Sequence, residues 1–88
     1  MQIEQTREFE KDTKKITGKQ KQRIDEIVRM LANAEKPGKP LHHLKDVYSI
    51  YVENKRLVYQ IHEKENKIIL LFFKSREGVY DYLGSFHC

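Results

Sequence analysis

The sequence holds a single cysteine, Cys88, and it is the last residue. One cysteine excludes an internal disulfide framework and suits a reducing cytoplasm. A thiol at a fraying terminus is also a poor place for a reactive nucleophile. No apolar run approaches the ~20 residues that a membrane-spanning helix needs. The charged opening MQIEQTREFEKD contains no signal-peptide core. A cytoplasmic protein without a membrane partner is therefore expected. The sequence has no repeat, no low-complexity tract and no linker composition, so residues 1–88 read as one domain. At 88 residues a single core only just outweighs chain entropy, and most apolar positions are needed for packing.

Metal ligation finds little support. His42, His43, His62 and His87 follow no common ligand spacing, and one cysteine is too few to complete a set. No metal and no small-molecule cofactor is expected. Charge, by contrast, is plentiful: 34% of the residues are Asp, Glu, Lys or Arg, and the formal net charge is +4. That balance suits a polyanion or an acidic protein partner. The densest basic run, KKITGKQKQR at residues 14–23, offers Lys19, Lys21 and Arg23 to a nucleic-acid backbone. It reads equally well as a solvated helix face and loop.

Periodicity divides the chain near Pro40. Before it, Thr6 is placed to cap a short helix carrying Phe9, Thr13 and Ile16 on one side, and Gly18 interrupts that helix. Ile24, Ile27, Val28, Leu31 and Ala34 then recur at amphipathic helical spacing until KPGKP ends the pattern. A short strand at residues 2–5 fits ahead of this helical hairpin. After Pro40 the period becomes two. Tyr48, Ile50 and Val52 alternate with Val47, Ser49 and Tyr51, and after the short ENK, Leu57, Tyr59 and Ile61 alternate again. HEKEN supplies a polar turn, and KIILLFF is apolar on both faces, as a strand at the centre of a sheet would be. Tyr59 and Phe73 read as core.

The stretch NKRLVYQIHEKENKIILLFFKSREGVY carries an arginine at the start of its first apolar run and another after its second. Pairing the two runs as a hairpin about HEKEN makes Arg56 and Lys74 neighbours. Turning back across ENK brings Tyr51 and Glu53 to the same end, with Lys55, Arg76 and Tyr80 just beyond. Such a patch can hold a phosphate between guanidinium forks, with tyrosine rings for base stacking. The same charges also read as ordinary solvated strand ends.

Two segments, LKDVYSIYVENKRLVYQI and KSREGVYDYL, resemble the RelE/ParE superfamily of toxins from type II toxin–antitoxin systems, nearest its RelE branch. The resemblance implies an α+β fold, with two N-terminal helices packed on a twisted, mainly antiparallel sheet of about four strands. It implies ribosome-dependent, metal-independent cleavage of mRNA, in which a ribose 2′-hydroxyl attacks the adjacent phosphate. The partners implied are the ribosome, mRNA and a cognate antitoxin. Matched to the family pattern, Arg56, Arg76 and Tyr80 are the catalytic candidates. Lys45, Tyr51, Lys55 and Lys74 join Lys19, Lys21 and Arg23 as RNA contacts, Lys74 by geometry alone, and Phe72 and Tyr82 offer an apolar surface to the antitoxin. The RelE branch usually carries basic residues where this chain has Ser49, Tyr51 and Glu53. That departure supports an alternative, a noncatalytic member of the fold: a degenerate toxin or a ParE-like inhibitor of DNA gyrase.

Overall fold

A computed structural model describes residues 1–35, 38–41, 45–75 and 77–79. The chain runs β1 (Gln2–Gln5), α1 (Arg7–Thr13), α2 (Gly18–Ala32), β2 (Lys39–Pro40), β3 (Val47–Val52), β4 (Lys55–His62) and β5 (Lys67–Ser75). One sheet has the order β1-β5-β4-β3-β2. Its β1–β5 pair is parallel and its other pairs are antiparallel. The α+β arrangement with two N-terminal helices is as expected, but the strand count is five. The additional strand is β2, inside the KPGKP segment that ends the helical pattern. Gly38, at φ 100°, lets the backbone lie so close to Ser49 that a Cβ there would collide with the Ser49 carbonyl. Pro40, lacking an N–H, is tolerated because β2 is an edge strand.

The strand predicted for the centre of the sheet lies one place away from it. β5 sits between β1 and β4, and β4 is central. The double-sided apolar character of KIILLFF nevertheless has a structural use, because both faces of β5 are covered. Ile68, Leu70 and Phe73 join the main core with Phe9 of α1, Ile24, Ile27 and Leu31 of α2, and Leu57, Tyr59 and Ile61 of β4. Phe72 joins a smaller core on the opposite face with Val47, Val58 and Val79. Leu57, Val58 and Tyr59 are fully buried, and burying each such side chain is worth roughly 1.5–3 kcal/mol. Tyr59 stacks on Tyr48, with ring centroids 5.6 Å apart, and burial pushes its phenol up to about 12.

A β-bulge explains why neighbouring phenylalanines face opposite ways. Tyr59 pairs with Leu70 and Val58 with Phe72, so Leu71 is an extra residue in β5. Even-numbered residues face the helices before it and Phe73 does so after it. Thr6 anchors this irregular point. Its backbone N–H donates to the Leu70 carbonyl at 3.1 Å, and its hydroxyl donates to the Leu71 carbonyl. The same hydroxyl accepts from the Phe9 N–H at 3.0 Å, the N-cap expected of it. α1 ends at Thr13, so Ile16 lies beyond the helix predicted to carry it, although it still packs against the main core.

α2 ends in a Schellman motif. The Glu35 N–H donates to the Met30 carbonyl at 2.9 Å and the Ala34 N–H to the Leu31 carbonyl at 3.0 Å. Ala34 occupies the left-handed position at φ 64°, where glycine avoids a Cβ penalty of roughly 1 kcal/mol. Ala34→Gly should therefore raise stability by about 1 kcal/mol, read as a higher urea midpoint with an unchanged m-value.

Candidate nucleic-acid interface

The register of β3, β4 and β5 aligns Tyr51, Arg56 and Lys74 in one row across three strands. Side chains alternate along β4, so Leu57 turns toward the helices while Arg56 points to the opposite face. There the Arg56 guanidinium lies over the Tyr51 ring, 4.8 Å from its centroid, and Nη2 donates to the Tyr51 hydroxyl at 3.1 Å. One side chain thus meets both the π-face and the oxygen of the other. Tyr51 is the exposed large hydrophobic residue among those described, with 56% of its surface accessible.

Lys74 is drawn out of the row. Its Nζ lies 2.6 Å from Glu8 Oε1 and 3.1 Å from Asp12 Oδ1, both on α1. Asp12 Oδ2 also accepts from the Phe73 N–H at 3.1 Å, where β5 continues past the end of β1. Burial disfavours the Lys74 charge most strongly, but the hydrogen bonds and charges of Glu8 and Asp12 outweigh it and raise the pKa. The Lys74 hydrogen bond in turn lowers the Glu8 pKa. Glu8 and Asp12 are not among the residues that the sequence patterns single out. Their spacing of four puts both on one helix face, but nothing local signals that this face meets a lysine 62 residues further along the chain.

The remaining candidates separate. Lys55 adjoins Arg56 in sequence and so faces the helix side, with Nζ 5.6 Å from the Phe73 ring centroid. Lys45 lies in the turn before β3, beyond the end that pairs with Gln60 and away from Arg56. Lys19, Lys21 and Arg23 belong to α2, which packs on the main core across the sheet from Arg56. Arg23 pairs with Glu26 at 3.0 Å. Phe72, expected at the surface, is 1% exposed and belongs to the second core with Val47, Val58 and Val79. Arg76, Tyr80, Tyr82, His42, His43 and His87 lie outside the described residues. Residues 77–79 are helical, the Ser75 hydroxyl accepts from the Gly78 N–H at 3.3 Å, and Val79 returns to the Arg56 face of the sheet. No helix among the described residues is long and apolar enough to cross a membrane.

The profile describing the ParE toxin of the type II toxin–antitoxin system parDE matches residues 3–80. The chain belongs to this ParE toxin family. Solved structures share the fold. RelE in the RelB–RelE complex of Methanococcus jannaschii is 24% identical with a TM-score of 0.73, covering 90% of this chain and 96% of its own. The isolated Escherichia coli RelE toxin is 16% identical with a TM-score of 0.73, covering 99% and 98%. A metal-bound Helicobacter pylori toxin is 24% identical with a TM-score of 0.71, covering 89% and 97%. No curated protein sequence matches the chain. The protein is thus a toxin of the RelE/ParE superfamily.

Linkage gives the toxin's Lys74 cluster a pH signature. A carboxyl held below the ordinary 4.5, as Glu8 is, stabilises the fold above that pH and loses its contribution as pH falls through the folded value. The raised Lys74 contributes below 10.5 and is lost as pH rises through its folded value. Lys74→Met should lower stability at pH 6, and the gap to wild type should shrink by pH 3, as measured by urea unfolding at both values.

Proposed function

We propose that this toxin arrests translation by ribosome-dependent, metal-independent cleavage of mRNA, and that a cognate antitoxin neutralises it. The Arg56–Tyr51 unit carries this reading. It holds a permanent cation and an aromatic hydroxyl together on the face of the sheet away from α1 and α2. In the reaction, the ribose 2′-oxygen bonds to phosphorus while the bond to the leaving 5′-oxygen breaks. The 2′ proton departs and the leaving oxygen acquires one. Negative charge grows on the phosphoryl oxygens, where a guanidinium fork stabilises it. The Tyr51 hydroxyl, oriented by Arg56, is the neighbouring group suited to proton transfer. Arg76 and Tyr80 complete the proposed set. RelB–RelE complexes from Methanococcus jannaschii and Escherichia coli support an antitoxin partner, and a net charge of +4 suits an acidic one.

A second reading keeps the fold and the antitoxin but not the cleavage. The engagement of Lys74 by Glu8 and Asp12 favours it, since that contact turns a cation away from any substrate phosphate. A ParE-like inhibitor of DNA gyrase belongs to this class.

Cleavage of a reporter mRNA in a translating extract, mapped by primer extension, separates the readings. The expected outcome is cleavage by wild type that falls roughly 10²–10³-fold in Arg56→Ala, the scale of removing one transition-state donor. No cleavage at saturating wild-type protein, with inhibition of gyrase supercoiling, selects the second reading.

A further inference from the structure

We propose that Glu8 and Asp12 restrain RNA binding: they hold the Lys74 ammonium on α1, which keeps the Arg56 face of the sheet one phosphate contact short of what its residues can make. The inference rests on the RNA-directed reading above and adds a control on its strength. Lys74 stands opposite Arg56 in the strand register, and the Cα atoms of such cross-strand partners lie roughly 4.5–5.5 Å apart. Its stem starts on that face. A Cβ added at Gly78 would lie 3.1 Å from Lys74 Cβ and 3.5 Å from Cδ, so the stem runs beside the segment that brings Val79 to the Arg56 side. The ammonium, however, is carried off the face. β1 pairs with β5 only as far as Leu70, and beyond that point α1 receives Nζ at 2.6 Å on Glu8 and 3.1 Å on Asp12.

The restraint is made of charge rather than of shape. A lysine carries its ammonium on a flexible four-carbon stem, and rotation about that stem can return Nζ to the side of Arg56. Removing the two carboxylate charges is enough to allow it. The Lys74 and Glu8 side chains are 21% and 28% exposed, so water and ions reach the pair. Asp12 is more firmly placed, because its Oδ2 also accepts from the Phe73 N–H. One ammonium set against two carboxylates leaves the cluster with an excess of negative charge, which repels an approaching phosphodiester from Lys74 where it stands. Lys39, opposite Ser49, and Arg56 remain on the face and supply positive charge to it. The ligand concerned is therefore the RNA backbone, and the carboxylates on α1 set how firmly the face grips it.

The test is a fluorescence-anisotropy titration of the full-length protein into a labelled, single-stranded 2′-O-methyl RNA oligonucleotide, repeated from about 50 to about 200 mM salt. The 2′-O-methyl groups prevent cleavage, so binding is read alone. Glu8→Gln/Asp12→Asn keeps the side-chain oxygens, including an acceptor for the Phe73 N–H, and removes both charges. It should bind about threefold more tightly, and its plot of log affinity against log salt should be steeper by ~0.7, the increment for one more phosphate contact on a single strand. Glu10→Gln/Asp25→Asn makes the same change of charge at exposed residues of α1 and α2 and should leave the slope unchanged. Adding Lys74→Met to Glu8→Gln/Asp12→Asn should abolish the extra slope, an effect that a merely structural role of the cluster would not produce. Circular dichroism confirms that each variant is folded. Glu8→Gln alone should move affinity and slope in the same direction, and it decides the matter where the double variant is unfolded. A wild-type slope without the carboxylate charges, or an extra slope that survives Lys74→Met, overturns the restraint while the RNA reading stands. If no variant binds this RNA and wild type cuts no mRNA in a translating extract, both fall.

Discussion

The β-bulge at Leu71 decides which way every later residue of β5 faces, and the two sides of the sheet depend on that decision. Without the extra residue, the alternation set by Ile68 and Leu70 would send Phe72 and Lys74 toward the helices and Phe73 away. A lysine would then enter the main core and an aromatic would leave it. With the bulge, Phe73 completes the core while Lys74 falls in the row of Arg56 and Tyr51. The bulge needs support, because it leaves a backbone carbonyl without a place in the ladder. Thr6 supplies it by donating to Leu71 while capping α1. One side chain thus joins the start of the first helix to the irregular point of the strand.

The same junction distributes the charge. β1 pairs with β5 only as far as Leu70, so α1 runs beside the strand beyond that point. Asp12 accepts from the Phe73 N–H that a longer β1 would have paired, and with Glu8 it engages the Lys74 ammonium. Arg56, one strand further in, is instead turned to Tyr51. The sheet edge and the row divide the cations between them. The edge engages Lys74, and Arg56 faces the tyrosine.

Much of this architecture is legible in the chain. Thr6 as N-cap, the Ile24–Leu31 stripe, the two hairpins and the Arg56–Lys74 pairing follow from local patterns, since capping and periods of 3.6 and two act over a few residues. The family resemblance at residues 44–83 agrees with the profile match across residues 3–80. The less legible features are long-range. The parallel pairing of β1 with β5 joins residues 65 positions apart, and no local pattern fixes a bulge inside an unbroken apolar run. For the same reason Lys55 reads as a companion of Arg56, although alternation puts it on the other face. Phe72 reads as surface because the residues that share its core, Val47, Val58 and Val79, come from other segments of the chain.

The central claim is that RNA meets the toxin on the Arg56 face of the sheet rather than on the basic start of α2. Titration of a 2′-O-methyl RNA oligonucleotide into the ¹⁵N-labelled protein, followed by amide chemical-shift changes, tests this residue by residue. The account predicts that the largest shifts cluster at Tyr51, Arg56 and their neighbours on β3 and β4, with Lys19, Lys21 and Arg23 little changed. Shifts concentrated on α2, with Tyr51 and Arg56 unmoved, would contradict it.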